Sequence, residues 1–179
     1  PASEAREGAW WRQVVDLIQQ RSAYWLCFLY AITFGGFVGL CSVIPLLLHD
    51  VYRLEAIEAG IVAAFCGLIG SLIRPIGGYV ADRRGGLRAL YYVLPAIAGA
   101  VVAVVSPSHT MGVAMMMVAT AAMGFGNGVI FQLVAEWFPR NIGLASGVVG
   151  AAGAVGGFVL PMLIGTMKGL SGSYELGFW

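Results

Sequence analysis

Long apolar stretches broken by short polar or charged turns organise the whole chain. They run roughly Ala23–Leu48, Ile57–Val80, Ala89–Val105, Met111–Trp137 and Ile142–Met167. Each approaches or exceeds the ~18–20 apolar residues needed to cross the hydrocarbon of a bilayer. The pattern predicts an all-α, polytopic membrane protein with about five spans over residues 22–179. Tyr174-Glu175-Leu176-Gly177-Phe178-Trp179 reads as the start of a sixth span, cut short. Ahead of the first span, residues 1–21 read as a linker containing an amphipathic segment. There Trp10, Trp11, Val14, Val15 and Ile18 recur at helical spacing, with Arg12, Asp16 and Gln19 opposite them. That segment fits two readings, a helix lying in the membrane surface or a linker packed on protein.

Composition agrees: 59% of the residues are hydrophobic and 11% charged, more apolar surface than a soluble domain of this size can bury. No basic tract points to nucleic acid, and the net charge is +1. Cys27, Cys41 and Cys66 lie inside apolar segments without metal-ligand or CxxC spacing, so they read as small buried hydrophobes, and no metal or cofactor is expected. Charge sets the orientation instead. Arg6, Arg12, Arg21, Arg83, Arg84, Arg88 and Arg140 fall on one side of alternating spans, and only Arg53 and Lys168 on the other. Basic residues concentrate in cytoplasmic loops, which places residue 1 in the cytoplasm and the protein in the cell membrane.

Arg74 breaks the rule that spans are uncharged. An arginine at membrane depth costs about 2.5–3.5 kcal/mol on insertion scales, and such groups commonly line a pathway. The competing reading lets it snorkel to the headgroups from near its helix end. In the last stretch Gly143, Gly147, Gly150, Ala154, Gly157, Pro161 and Gly165 occupy a stripe roughly 80° wide at 100° per residue. Gly153 and Gly156 widen it. Such a stripe admits another helix, or a small solute, close to the backbone. In the fourth stretch Gly124, Gly128 and Gln132 share a face, and Asn127 and Gln132 are hydrogen-bonding groups suited to a neighbouring helix or a polar solute. Tyr30, Phe34, Phe37 and Cys41 line one face of the first stretch, either as core or as flat walls for a planar solute. No constellation of nucleophile, metal ligands or acid–base pair suited to catalysis appears within the spans, and His49 and His109 sit at span ends. An enzyme is not expected.

The turn Gly77-Gly78-Tyr79-Val80-Ala81-Asp82-Arg83-Arg84-Gly85-Gly86 resembles the loop between the second and third helices of each half of a major facilitator. The run Gly147–Gly157, followed by Phe158-Val159-Leu160-Pro161, resembles the signature of the nitrate/nitrite porter family within that superfamily. Tyr30-Ala31-Ile32-Thr33-Phe34-Gly35-Gly36-Phe37 is similar to its seventh-helix aromatic segment. The resemblance implies the C-terminal six-helix half of a twelve-helix transporter, starting at helix seven, with an absent N-terminal half that supplies a second arginine. It implies nitrate as substrate, with Arg74 binding its oxygens and Tyr30 and Phe34 lining the same pocket; Asn127 and Gly150 are further candidates for substrate contact. Gly147, Gly153, Gly156 and Gly157 become the flexible signature helix. Gly77, Gly78, Asp82 and Arg83 become a cytoplasmic latch. Some relatives carry a hydroxyl residue where Gly150 stands, which weakens the case for a substrate hydrogen bond from this helix.

Nitrate is flat and singly charged, and a guanidinium offers it paired donors that a lysine lacks. With no acid at mid-span, exchange for nitrite is the favoured expectation. Proton symport, or carriage of another small or organic anion, are the alternatives.

Overall fold

The computed structural model describes residues 12–104, 108–172 and 174, and every regular element among them is helical. Residues 12–18 form α1. It is followed by α2 (Arg21–Tyr52), α3 (Ala56–Arg84), α4 (Gly86–Ala103), α5 (His109–Trp137) and α6 (Ile142–Ser171). The all-α membrane architecture is therefore as expected, with α2 to α6 each long and apolar enough to cross a bilayer. At 1.5 Å per residue the longer helices reach roughly 44–48 Å, beyond the roughly 30 Å of hydrocarbon. Helices outrun the apolar windows because the backbone keeps its hydrogen bonds through the headgroup layer while the side chains turn polar. Pro45, Pro75, Pro95 and Pro161 all lie within helices, a placement that packed membrane helices tolerate. The supposed sixth span lies outside the described residues apart from Tyr174.

α2 and α5 form the inside of the bundle. Their most apolar windows are 56% and 50% buried, whereas those of α3 and α6 are 17% buried. α3 packs chiefly on α5, α6 chiefly on α2, and α4 on α5. Glycines make both main seams. A methyl added at Gly124 would overlap the Gly70 carbonyl, one at Gly128 the Arg74 carbonyl, and one at Gly77 the Phe125 carbonyl. Gly70, Arg74 and Gly77 are three or four residues apart, as are Gly124 and Gly128, so each set forms one helix face and the two backbones touch. Across the other seam, a methyl at Gly35 would meet the Gly156–Gly157 backbone, and one at Gly156 the Ala31 carbonyl.

The small-residue stripe of α6 is thus divided. Gly153, Gly156 and Gly157 face α2, while a methyl added at Gly143, Gly147, Gly150 or Gly165 would meet no described atom within 4 Å. By helical arithmetic the packed face is centred about 90° from the middle of the seven-residue stripe. In α5, Gly124 and Gly128 do share a face, but it is occupied by α3. Gln132 turns instead toward Gly86 at the start of α4.

α1 packs differently from its sequence pattern. Leu17 is buried, as is Val14, whereas Val15 and Ile18 are each 49% exposed; Trp10 and Trp11 lie outside the described residues. The two residues three apart that meet the bundle are set by what they land on, and a cavity lined by Gln13, Val14, Gly143 and Gly147 places α1 beside the start of α6. At the opposite end of the bundle, Lys168 of α6 donates to the Asp50 carboxylate of α2 and to the Tyr174 oxygen, 2.7 Å away. The Tyr174 hydroxyl in turn donates to Asp50 Oδ2 at 2.8 Å. This cluster ties the ends of α2 and α6 together.

The α3–α5 seam predicts an asymmetric response to added methyls. Gly128→Ala is expected to destabilise the detergent-solubilised protein by about 1–3 kcal/mol, because a backbone carbonyl cannot rotate aside. Gly99→Ala, which meets nothing within 4 Å, is expected to be neutral or slightly stabilising. Thermal unfolding of the two variants side by side checks this.

Candidate functional site

Arg74 lies ten residues before the end of α3, roughly 15 Å along the axis, too deep for its side chain to clear the bundle end. It does not reach outward. Its guanidinium carbon sits 5.2 Å from the ring centroids of both Phe34 and Phe37, a range in which the ring faces attract the cation. Arg74 is half-buried, and its Nε is buried without a hydrogen-bond partner. Among the described residues the only ion pair is Lys168–Asp50, so no carboxylate neutralises Arg74. The side chain turns to the rings of α2 rather than out past the helix end.

Each wall of the site follows from a close approach. The Phe37 ring lies across Gly70, one turn before Arg74 on α3, where any Cβ would collide with it. Phe34 and Tyr30 stack face to face, with centroids 5.0 Å apart and planes 1° from parallel. The bare backbone at Gly153 of α6 receives both rings. Phe131 of α5 meets Tyr30 edge-on at 5.1 Å. Three helices beyond α3 therefore hold the aromatic wall in place, and the Arg74 carbonyl pressed on Gly128 holds the cation's backbone.

Two buried polar side chains, Thr33 on α2 and Asn127 on α5, lack partners. Asn127 is 1% exposed and neither its Nδ2 nor its Oδ1 is hydrogen-bonded; Thr33 is fully buried and its Oγ1 is likewise unpaired. Thr33 packs against Gly126, the residue preceding Asn127. Leaving a buried amide unpaired costs about 1–3 kcal/mol, so in this placement these groups lower stability. Asn127 makes no interhelical hydrogen bond among the described residues. Gln132 does find a partner, donating from Nε2 to Glu136 Oε2 at 3.0 Å.

The structure thus brings together Arg74, Tyr30 and Phe34 and adds Phe37 and Phe131, and it buries Thr33 of α2 against Gly126, residues that the sequence alone does not assign to the site. Signals for them exist: Phe37 continues the aromatic stripe, Thr33 lies three residues from Tyr30, and Phe131 lies four from Asn127. Gly150 is not brought against this cluster; Gly153, one turn on, is. Gly147 is equally open. In the α3–α4 turn region, Gly77 packs on Phe125 and Gly78 makes ordinary contact with Gly128. Asp82 is exposed, and Arg83 stacks over its own Tyr79, 4.5 Å from the centroid.

A profile of the Major Facilitator Superfamily matches residues 3–161. The chain belongs to the Major Facilitator Superfamily. It is similar to the "Nitrite extrusion protein" of Bacillus subtilis, 32% identical over 168 residues, covering 93% of this chain and 42% of that protein. It is 33% identical over 167 residues to the "Probable nitrate transporter NarT" of Staphylococcus carnosus, covering 93% of this chain and 43% of the relative. To the "Probable nitrate/nitrite antiporter NarK1" of Thermus thermophilus it is 29% identical over 170 residues, covering 84% and 38%. The chain therefore spans less than half the length of these major facilitator relatives.

Asn127 offers a test of the cost of unpaired burial. Asn127→Leu removes two unpaired polar atoms at similar volume and is expected to raise stability, or leave it unchanged, by up to about 1–3 kcal/mol. A fall in the melting temperature would mean that the amide is satisfied by a protein partner.

Proposed function

We propose that this chain is the C-terminal half of a multi-pass transporter that carries nitrate across the cell membrane and exchanges it for nitrite. The observation that carries the reading is the Arg74 guanidinium, deep in the bundle, uncompensated by any described carboxylate and set beside the Phe34 and Phe37 rings. Superfamily membership and the names of the relatives support transport of this anion over catalysis.

The chemistry follows from the shapes involved. A planar guanidinium presents donors in one plane, which suits the in-plane oxygens of nitrate or nitrite. The Phe34 and Phe37 ring faces beside the cation would wall one side of a site that suits a flat anion better than a bulkier tetrahedral one. In this low-dielectric setting the attraction of an anion for Arg74 is stronger than in water. The unpaired Asn127 amide of α5 and Thr33 hydroxyl of α2 supply further donors. Missing from this sequence is a partner half, whose own arginine would close the site. The open glycines Gly147 and Gly150 suit a sliding contact with that half, while Gly153, Gly156 and Gly157 hold α6 on α2. Alternating access then rocks the two halves about the midplane, with the N-terminus of this chain in the cytoplasm and Gly77, Gly78, Asp82 and Arg83 at the cytoplasmic contact.

Exchange is favoured over proton symport because no acid lies among the described residues of the site. Glu136 is near the end of α5 and already accepts from Gln132.

In proteoliposomes of the full-length protein, Arg74→Lys is expected to cut nitrate flux at least about tenfold, the worth of one charge-assisted hydrogen bond of about 1.5–3 kcal/mol. Its melting temperature should stay at the parent value. Undiminished flux would remove Arg74 from the mechanism. Vesicles given a pH gradient but no internal nitrite are expected to take up little nitrate; strong uptake would replace exchange by symport.

A further inference from the structure

A second cavity, of about 630 Å³, opens between α3 and α4 at the arginine-rich end of the bundle. Arg84, Arg88 and Tyr92 border it, and Ala89, Val93 and Phe125 form an apolar floor. Its shape comes from the shortest possible helix connection. α3 ends at Arg84 and α4 begins at Gly86, with only Gly85 between them at φ 89°, a conformation that glycine adopts without strain. The Gly85 N–H donates to the Ala81 carbonyl at 2.8 Å, and the Gly85 carbonyl accepts from Ala89 N–H at 3.1 Å. This turn holds Arg84 and Arg88 on either side of one cleft.

Both arginines are exposed, and neither has a carboxylate within ion-pair distance among the described residues. Asp82 lies about 200° around α3 from Arg84 and so faces away. Glu136 is engaged by Gln132, and Arg83 by the Tyr79 ring. Tyr91 and Tyr92 are 74% and 69% exposed, as expected of amphipathic rings at the level of lipid headgroups. Two unpaired cations at the rim and a greasy floor below match an amphiphile with a phosphate at one end. Free phosphate would gain the cations but lose water against the floor. A lipid with an ammonium headgroup would find no acid to receive it.

We propose that this cleft binds an anionic glycerophospholipid, with Arg84 and Arg88 holding its phosphate and an acyl chain running over Val93 and Phe125. Basic pockets between membrane helices recognise acidic headgroups by the same logic. Such a lipid would brace the α3–α4 turn from the membrane side, on the helix that carries Arg74.

The test is native mass spectrometry of the full-length protein in detergent, titrated with phosphatidylglycerol, phosphatidylethanolamine or inorganic phosphate. Phosphatidylglycerol is expected to bind at least about tenfold better than phosphatidylethanolamine, the contribution of two arginines near a headgroup. Arg84→Gln with Arg88→Gln should erase that preference. Val80→Trp, which fills the cleft from its remaining wall and keeps every charge, should erase it too, so the result does not depend on the folding of the double variant alone. Arg140→Gln, at the same end but outside the cleft, should leave it intact. The proposal is overturned if the parent retains both lipids equally, as it would if the other half of the protein covers the cleft. It is equally overturned if the preference survives both cleft variants, or if millimolar inorganic phosphate displaces the lipid, which would mark a free-anion site.

Discussion

The contact of the α3 backbone with the α5 backbone governs this molecule. At Gly70–Gly124, Arg74–Gly128 and Gly77–Phe125 the helices touch carbonyl to Cα, with no side chain between them. Membrane helices gain little from hydrophobic burial against one another, because lipid is as apolar as they are. Close van der Waals approach is what remains to hold them together. That same seam fixes the one residue whose charge the membrane opposes. Arg74 gives its carbonyl to the seam and sends its side chain inward to the rings of α2.

From this constraint the aromatic wall follows. Phe37 has room only because Gly70 lacks a side chain, and Tyr30 and Phe34 stack where they do only because Gly153 leaves a recess on α6. The glycines therefore act in two ways. Some bring helices together, and some make space for rings. A third group, Gly143, Gly147 and Gly150, does neither within the described residues. Gly143 and Gly147 instead border the cavity beside α1.

Electrostatically the two ends and the middle of the bundle differ. One end is clasped by Lys168, Asp50 and Tyr174. The other carries Arg83, Arg84, Arg88 and Arg140, exposed and without an ion pair among the described residues. Between them Arg74 sits without a counter-ion among the described residues, and the Asn127 amide and the Thr33 hydroxyl are each buried without a partner. Buried polar groups left unpaired lower stability, and Thr33, Arg74, Asn127 and Gln132 each carry at least one such atom among the described residues.

Much of this was readable along the chain. Apolar length alone specifies five spanning helices, since backbone groups in hydrocarbon have only helical partners to turn to, and a lone arginine at membrane depth announces a polar site. Periodicity grouped Tyr30, Phe34 and Phe37 on one face because a helix repeats every 3.6 residues whatever its neighbours are. Which neighbour each face meets is a different matter. Nothing local told Gly153 from Gly150, or Leu17 from Ile18, as the residue that packs. Nor could spacing reveal that Gln132 finds Glu136 while Asn127 finds nothing. Those outcomes depend on the rotation and approach of helices far apart in sequence, and only the assembled bundle sets them, through the few places where one backbone can lie directly against another.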